Sequence, residues 1–157
     1  MRKTVTMYFA GCLFALPQLA CGADVSSSYS ESYQKCIDEA GNTNAMLSCV
    51  AAEQNRWNLR LSNASEALLG SHDFSANAKA LLSEAQKLWD PFQNKWCDAY
   101  SALDIEGGTG YNLAKADCTL KMTVERALEL EDVLHSRNAD RPSKREEHRP
   151  SGDKSSR

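Results

Sequence analysis

Four of the six cysteines fall into two pairs, and each pair flanks a short segment that favours a turn. Cys36 and Cys49 flank Ala-Gly-Asn-Thr-Asn, and Cys97 and Cys118 flank Glu-Gly-Gly-Thr-Gly. The second pair is about equidistant from the midpoint of its glycine-rich segment. Two antiparallel helices bring equidistant positions side by side, so the spacing favours the bridges Cys36–Cys49 and Cys97–Cys118. The chain is therefore predicted to be a disulfide-stapled helical protein of an oxidising compartment.

The pairing is a prediction, because four cysteines allow three connectivities. One observation counts against the second bridge. At about 100° per residue, Cys97 lies off the apolar stripe that passes through Leu88, Phe92 and Leu103. Cys118 likewise lies off the stripe of its own helix. The second bridge therefore conflicts with the helix faces that the apolar pattern predicts.

The first 23 residues have the pattern of a secretory signal peptide. Arg2 and Lys3 precede an apolar run over 5–16, and Pro17 then breaks it. The run has about twelve residues and is too short for a membrane span, which needs roughly 20. Cleavage after Ala23 would place the small residues Cys21 and Ala23 at the −3 and −1 positions. Cleavage after Ala23 is predicted, which would start the mature domain at residue 24.

The alternative for this segment is a lipoprotein acylated at Cys21. That processing prefers leucine three residues before the cysteine, where the chain has Gln18, and Leu19 comes one place late. Cleavage after Ala23 would remove Cys12 and Cys21 and leave an even number of cysteines, as two disulfides require. We therefore predict a periplasmic or secreted protein, attached to a membrane only if Cys21 is lipidated.

Charge divides the mature chain into two parts. Residues 24–136 carry 17 acidic and 9 basic side chains, a formal charge of −8, and are predicted to form one domain. Residues 137–157 carry 4 acidic and 7 basic side chains, a formal charge of +3, and are predicted to be a disordered tail because they have too little apolar surface to bury. An acidic domain repels nucleic acid and attracts cationic proteins.

Apolar residues recur at three- and four-residue steps, and no segment alternates with period two for long enough to predict a strand. A first helix is predicted to stop at Gly41. A second helix is predicted to start with Thr43 or Asn44 as its cap and to stop near Gly70. The predicted fold is all-α, a small antiparallel bundle of about four helices stapled by two disulfides.

The third helix is predicted to begin at Ser71 or Asp73 and to kink at Pro91. Its apolar stripe is predicted to face the core and consists of Leu81, Ala85, Leu88, Phe92, Trp96 and Leu103. Trp57 and Trp96 are predicted to be core residues because they lie on apolar stripes. Trp89 lies nearer a stripe edge, and its burial is left open.

A longer set of residues falls in a recognisable order. Its first half consists of Tyr33-x-x-Cys36, Ala-Met-Leu-Ser-Cys at 45–49, Trp57 and Leu61. Its second half consists of Leu82, Gln86, Trp89, Phe92, Gly107-Gly108-Thr109 and Cys118-x4-Thr123-x2-Arg126-x3-Leu130. This order resembles the lysozyme inhibitor LprI-like family of secreted bacterial proteins over about residues 33–134. The chain departs from that family at Ser62 and Ser65, where Asn and Tyr are usual, and at Gln93, where Arg is usual.

The resemblance implies a small all-helical periplasmic or surface-attached domain, and some members of the family inhibit lysozyme. An acidic domain would be steered toward a cationic wall hydrolase. We therefore predict a binding inhibitor of a lysozyme-like hydrolase, either a host lysozyme or a wall-degrading toxin. The alternative is a non-catalytic accessory module of the cell envelope that binds wall glycan through exposed aromatic side chains.

The predicted contact segment is the glycine-rich loop after the third helix. Its glycines let the backbone approach a partner closely, and its carboxylates can meet groups in a substrate cleft. The candidate residues of this loop are Asp104, Glu106, Gly107, Gly108 and Thr109. The alternative is a tight helix connection that needs positive φ. Arg126 either anchors a partner carboxylate or forms an internal ion pair with an acidic residue of a neighbouring helix.

The sequence offers little for catalysis. None of the three histidines has a His or Cys neighbour at metal-ligand spacing, and the mature cysteines are assigned to disulfides. Glu129, Glu131 and Asp132 are interpreted as a solvated helix face. The chain is predicted not to be an enzyme, with no catalytic residue, metal or cofactor.

Overall fold

The structure is a computed structural model, and it describes residues 25–104 and 107–139. A 3₁₀ turn and four helices follow one another, and their bounds are Val25–Ser28, then α1 Glu31–Glu39, α2 Thr43–Gly70, α3 Ala76–Asp104 and α4 Gly108–Ala139. No strand occurs in these two ranges, so the predicted all-α fold of about four helices is confirmed. The predicted signal peptide, Cys21 and residues 140–157 lie outside the described residues.

Polar side chains define where the first helices begin. Ser30 caps α1 by accepting a hydrogen bond from the Tyr33 amide at 3.1 Å. Asn42 caps α2 by accepting from the Ala45 amide at 3.0 Å. The prediction of Thr43 or Asn44 as the cap of α2 is therefore wrong by one or two positions, because the extended backbone that a cap requires occurs at Asn42.

The third helix begins later than predicted. Ser75 accepts from the Ala78 amide at 3.2 Å, and α3 starts at the next residue, Ala76. Ser71 and Asp73 lie in the preceding turn, where the Asp73 amide donates to Ser71 Oγ at 3.1 Å. Pro91 lies inside α3, and the helix continues past it to Asp104.

The last helix, α4, is the centre of the bundle, with α2 and α3 packed along it. The larger core cluster joins Trp57 of α2 to Leu120, Val124 and Ala127 of α4, all with no exposed surface. The N-terminal segment covers this cluster through Val25, Tyr29 and Tyr33. Within the described residues, none of the helices is long and apolar enough to cross a membrane.

Both predicted disulfides are present. The Cα atoms of Cys36 and Cys49 lie 5.7 Å apart, and those of Cys97 and Cys118 lie 5.6 Å apart. Cys97 is fully buried. The conflict between the second bridge and the apolar stripe is resolved by the orientation of α3, which turns its cysteine face toward α4.

The apolar stripe of α3 was predicted to face the core, and that prediction is wrong. The exposed fractions are 58% for Leu81, 64% for Leu88, 55% for Phe92, 51% for Trp96 and 84% for Leu103. The prediction that Trp96 is a core residue is therefore also wrong. The prediction that Trp57 is a core residue is confirmed, because its side chain is fully buried.

The face of α3 that is buried carries polar side chains, and two of them, Gln93 and Ser101, are hydrogen-bonded. The buried Trp89 Nε1 has no hydrogen-bond partner among the described residues. The Gln93 amide donates to Thr119 O at 3.0 Å and to Thr123 Oγ1 at 2.8 Å. Ser101 Oγ donates to Cys97 O at 2.7 Å. Burial of a polar group is tolerated when it is hydrogen-bonded, so this face can pack against α4.

A buried carboxylate holds the N-terminal segment onto α2. Glu53 is only 3% exposed and accepts from the Ser30 amide at 3.0 Å and from Ser30 Oγ at 2.7 Å. Trp57 Nε1 donates to it at 2.9 Å, and Arg56 Nε donates to both of its oxygens at 3.1 Å. Burial raises the pKa of Glu53, but the hydrogen bonds from Arg56, Ser30 and Trp57 outweigh it and lower the pKa to about 2.

Acid is expected to destabilise the protein through Glu53. Its folded pKa of about 2 lies below the ordinary 4.5, so its contribution is complete above pH 4.5 and falls as the pH decreases toward 2. From this group alone, the free energy of unfolding should be about 2 kcal/mol lower at pH 3 than at pH 7. Urea denaturation at the two pH values measures the loss. The same measurement on Glu53→Gln should show a smaller pH dependence, and an equal dependence in both proteins would contradict the assignment.

Candidate functional site

The α3–α4 turn lies at an exposed end of the bundle. Gly107 and Gly108 have φ of 78° and 77°, in the region that favours glycine, and Thr109 after them is exposed. A Cβ built on either glycine would meet nothing within 4 Å. The positive φ, and not a lack of space for a side chain, therefore favours glycine at both positions. This is the positive φ that a tight helix connection requires. Glu106 and the side chain of Asp104 lie outside the described residues, and the contact role of the five loop residues stays a prediction.

Contacts between the ends of α3 and α4 hold this turn in place. Tyr111 Oη donates to Asp98 Oδ1 at 3.2 Å, and Lys115 forms an ion pair with the same carboxylate. The hydrogen bond from Lys115 is the main cause that lowers the pKa of Asp98. Together with the Cys97–Cys118 bridge, these contacts connect the two helices on the side of the turn.

Arg126 is far from the turn. It follows Gly108 by 18 residues on α4, a rise of about 27 Å along the helix. Its Nε and Nη2 donate to Gln86 Oε1 of α3 at 2.9 and 2.6 Å, and its guanidinium lies 5.5 Å from the ring centroid of Trp89. Its ion pair is with Glu129 of the same helix, so the predicted pairing with an acidic residue of a neighbouring helix is wrong. In the described contacts, Arg126 binds α3 to α4.

The structure has a groove beside α4 that was not predicted from the sequence. It has a volume of about 370 Å³, and Trp96 and Tyr100 of α3 line it together with Asp117, Lys121 and Glu125 of α4. Asp117 and Glu125 are eight residues apart and share a helix face, which is the one signal in the sequence. The groove combines aromatic walls with two carboxylates and one ammonium group.

The N-terminal tyrosines lie near Asp117, one of the residues of this groove. Tyr29 and Tyr33 meet edge to face, with ring centroids 5.0 Å apart. Burial raises the pKa of Tyr29 to about 12, and the negative charge of Asp117 adds to the shift. Burial also raises the pKa of Asp117. A carboxylate in this setting favours a nearby positive charge.

The apolar face of α3, which was predicted from the sequence to face the core, lies on the outside of the bundle. We call it the α3 stripe, and its members are Leu81, Ala85, Leu88, Phe92, Trp96, Ala99 and Leu103. All seven are exposed. The stripe extends over about 33 Å of helix. Contiguous exposed apolar surface of this kind marks an interaction site, whereas apolar side chains exposed singly need no explanation.

Acidic, histidine and cysteine side chains do not gather into a metal site in the part of the chain that the structure describes. One comparison with known proteins gives a result: the family model described as "Lysozyme inhibitor LprI" matches residues 36–130. The match includes both disulfides, Arg126 and the α3–α4 turn. No curated protein and no solved structure matches the chain.

Proposed function

Because the chain belongs to the lysozyme inhibitor LprI family, we propose that it inhibits a lysozyme-like peptidoglycan hydrolase. The family match over residues 36–130 is the observation that carries the proposal. The chain acts by binding its target and not by catalysis. Its target is either a host lysozyme or a wall-degrading toxin, in which case the chain is an immunity protein.

The disulfides support a location outside the cytoplasm, where such a target is met. Two bridges persist in oxidising compartments and are rare in the cytosol. The more specific form of the proposal is a periplasmic or secreted protein whose signal peptide is cleaved after Ala23. N-terminal sequencing of the secreted protein tests that form, since acylation at Cys21 would give a different first residue.

The charge of the domain supports a cationic partner. Residues 24–136 have a formal charge of −8. Opposite charge accelerates encounter over a distance set by the Debye length, about 8 Å at 0.15 M salt and 30 Å at 0.01 M. Inhibition should therefore set in faster at low salt than at high salt.

The α3–α4 turn is the proposed contact segment. Gly107 to Thr109 are exposed at one end of the bundle, on a turn that a disulfide and the Asp98 contacts hold in place. A rigid support lowers the entropy cost of binding. In this proposal the carboxylates of Asp104 and Glu106 meet polar groups of the hydrolase cleft.

Removing the two carboxylates of the turn is expected to weaken inhibition by at least about 10-fold, because buried polar contacts at an interface cost more than 1.4 kcal/mol to lose. The variant is Asp104→Asn with Glu106→Gln. The assay measures the lysis of bacterial walls by a cationic lysozyme as a decrease in turbidity. Repeating it at increasing concentrations of the protein gives the inhibition constant.

The matched control neutralises two exposed carboxylates elsewhere, Glu66→Gln with Asp132→Asn. It changes the net charge equally and should alter the inhibition constant by less than about 3-fold. Equal losses in both variants would refute the turn as the contact segment and leave only net charge. Lysis that proceeds unchanged with the unaltered protein in excess, against host lysozymes and bacterial muramidases alike, would refute inhibition itself.

A second function has one observation in its favour, the exposure of Trp96 and Phe92, because aromatic faces stack on sugar rings. In this alternative the chain is an accessory envelope module that binds wall glycan. Co-sedimentation with insoluble peptidoglycan tests it. Retention that Trp96→Ala abolishes, without any effect on lysis, would favour the module over the inhibitor.

A further inference from the structure

The α3 stripe lacks a partner within the described residues. Its largest members are 51–84% exposed, and only α3 contributes to it. The opposite face of α3 is held against α4 by the buried Cys97, so the helix cannot turn to cover the stripe without breaking that bridge. Water is therefore in contact with seven consecutive positions of an apolar helix face.

The spacing of the stripe suits a second helix. From Leu81 its members follow at steps of 4, 3, 4, 4, 3 and 4 residues, so the pattern repeats every 11 residues through Phe92 to Leu103. Eleven residues make slightly more than three turns of an α-helix, and a repeat of 3.67 residues per turn is close to 3.6, so the stripe stays nearly straight along the helix. Such a face can pack against another helix over its whole length of about 33 Å.

The stripe is also symmetric in sequence. Counting outward from Phe92, four residues away lie Leu88 and Trp96, and seven residues away lie two alanines, Ala85 and Ala99. Eleven residues away lie two leucines, Leu81 and Leu103. Large side chains therefore mirror large ones, and small side chains mirror small ones.

We propose that the α3 stripe is the interface of a symmetric dimer, in which α3 packs antiparallel against α3 of a second copy. A twofold axis at Phe92 places the positions on one side of it opposite their mirror positions in the second copy. The two alanines face each other and let the helices approach closely, and the leucines face each other at both ends. Such an interface is isologous, as twofold symmetry requires.

The area is adequate for a stable pair. The exposed parts of the stripe and of the neighbouring Tyr100 amount to roughly 500 Å² in one copy, given that an aromatic side chain can bury 150–250 Å². Two copies would bury about 1,000 Å² of apolar surface, and flanking side chains such as Glu84 and Lys95 add to it. Specific interfaces usually bury about 1,200–2,000 Å² in total, and a biological interface is expected to bury at least about 1,000 Å².

Other parts of the chain do not fit the stripe. The tail 137–157 has, apart from two prolines, no apolar side chain larger than that of Ala139. The apolar run over 5–16 is removed if the predicted cleavage occurs. A second copy is the occupant whose shape matches the stripe position by position.

Charge gives this interface a distinct signature. Two domains of formal charge −8 repel each other, and salt screens that repulsion. The dimer should therefore become tighter as salt rises from about 0.01 M to 0.15 M. Binding to a cationic protein has the opposite dependence, which separates the two partners without any change to the sequence.

Sedimentation equilibrium of the secreted protein tests the proposal. At about 50 μM protein and 0.15 M salt, the expected mass is twice that of one chain. Phe92→Glu would place two carboxylates at the twofold axis and should raise the dissociation constant at least about 100-fold. Phe92 is 55% exposed in the single chain, so the variant should fold normally, as circular dichroism can verify. The control is Leu59→Glu on α2, 63% exposed and outside the stripe, which should leave the mass unchanged.

Cross-linking tests the antiparallel arrangement. Ala85→Cys protein mixed with Ala99→Cys protein should form a disulfide-linked pair of the two variants, whereas neither variant alone should form one efficiently. Ala85→Cys protein that links to itself would overturn the antiparallel register. A single-chain mass at 50 μM, or a Phe92→Glu protein that remains a dimer, would overturn the interface. A single-chain mass combined with loss of hydrolase binding in Phe92→Glu would assign the stripe to the hydrolase instead.

Discussion

Replacing Trp57 with alanine is expected to lower the free energy of unfolding by about 4 kcal/mol. The indole has no exposed surface and lies in the cluster that joins α2 to α4 and to the N-terminal segment. Its Nε1 donates to the buried Glu53, and the guanidinium of Arg60 lies 4.0 Å from the ring centroid. The substitution therefore opens a cavity and removes one donor from a buried carboxylate. Urea denaturation at pH 7 measures the loss.

Trp96→Ala is the matched control, since it removes the same side chain from a position that is 51% exposed. At a protein concentration low enough to exclude self-association, its cost should be about 1 kcal/mol, because little cavity forms at a half-exposed site. Equal losses for the two tryptophans would contradict the orientation of α3. A larger loss for Trp96 would mean that the predicted core face of α3 is buried after all.

The faces of α2 and α4 could be read from the sequence because apolar periodicity and burial coincide there. Trp57 and Val50 on α2 and Leu120, Val124 and Leu130 on α4 follow helical spacing and are all buried. In such a helix only one face is apolar, so burying it is the only favourable choice. The element order and the two disulfides followed from the same pattern and from the spacing of the cysteines.

The orientation of α3 could not be predicted in this way, because each of its two faces gains something from being buried. One face carries Leu88, Phe92 and Trp96, and periodicity selects it. The other carries Cys97 and Gln93, which gain a covalent bond and two hydrogen bonds on packing against α4. Periodicity counts apolar side chains and does not count bonds to residues 20 to 30 positions away. The sequence alone nevertheless shows that Cys97 lies off the apolar stripe. That conflict occurs on α3, the helix whose orientation was predicted wrongly.

Some features of the candidate site could likewise be predicted from the sequence, and others could not. The positive φ at Gly107 and Gly108 could be predicted, because a tight connection between helices demands it locally. The groove at Asp117 could not, since its walls come from two separate helices, α3 and α4. The partners of Arg126 were mistaken because helix spacing indicates which side chains share a face but not which neighbouring helix supplies an amide instead of a carboxylate.

Removing the Cys97–Cys118 bridge is expected to lower the free energy of unfolding by about 3 kcal/mol. The variant is Cys97→Ala with Cys118→Ala. The bridge closes a loop with a sequence separation of 21, and its loss returns that conformational freedom to the unfolded chain. Urea denaturation of the variant, with the unaltered protein alongside, measures the change.

The same variant is expected to alter α3 specifically, because the bridge opposes the pull of the apolar stripe toward the core. Without it, Phe92 and Trp96 are free to turn inward. At a protein concentration low enough to exclude self-association, quenching of tryptophan fluorescence by an added solute should therefore decrease. Cys36→Ala with Cys49→Ala is the control. Its loop, with a sequence separation of 13, gives a similar stability loss of about 3 kcal/mol, but it lies between α1 and α2 and should leave the quenching unchanged. If both variants lose stability equally and neither changes the quenching, the bridge staples the helices without setting the orientation of α3.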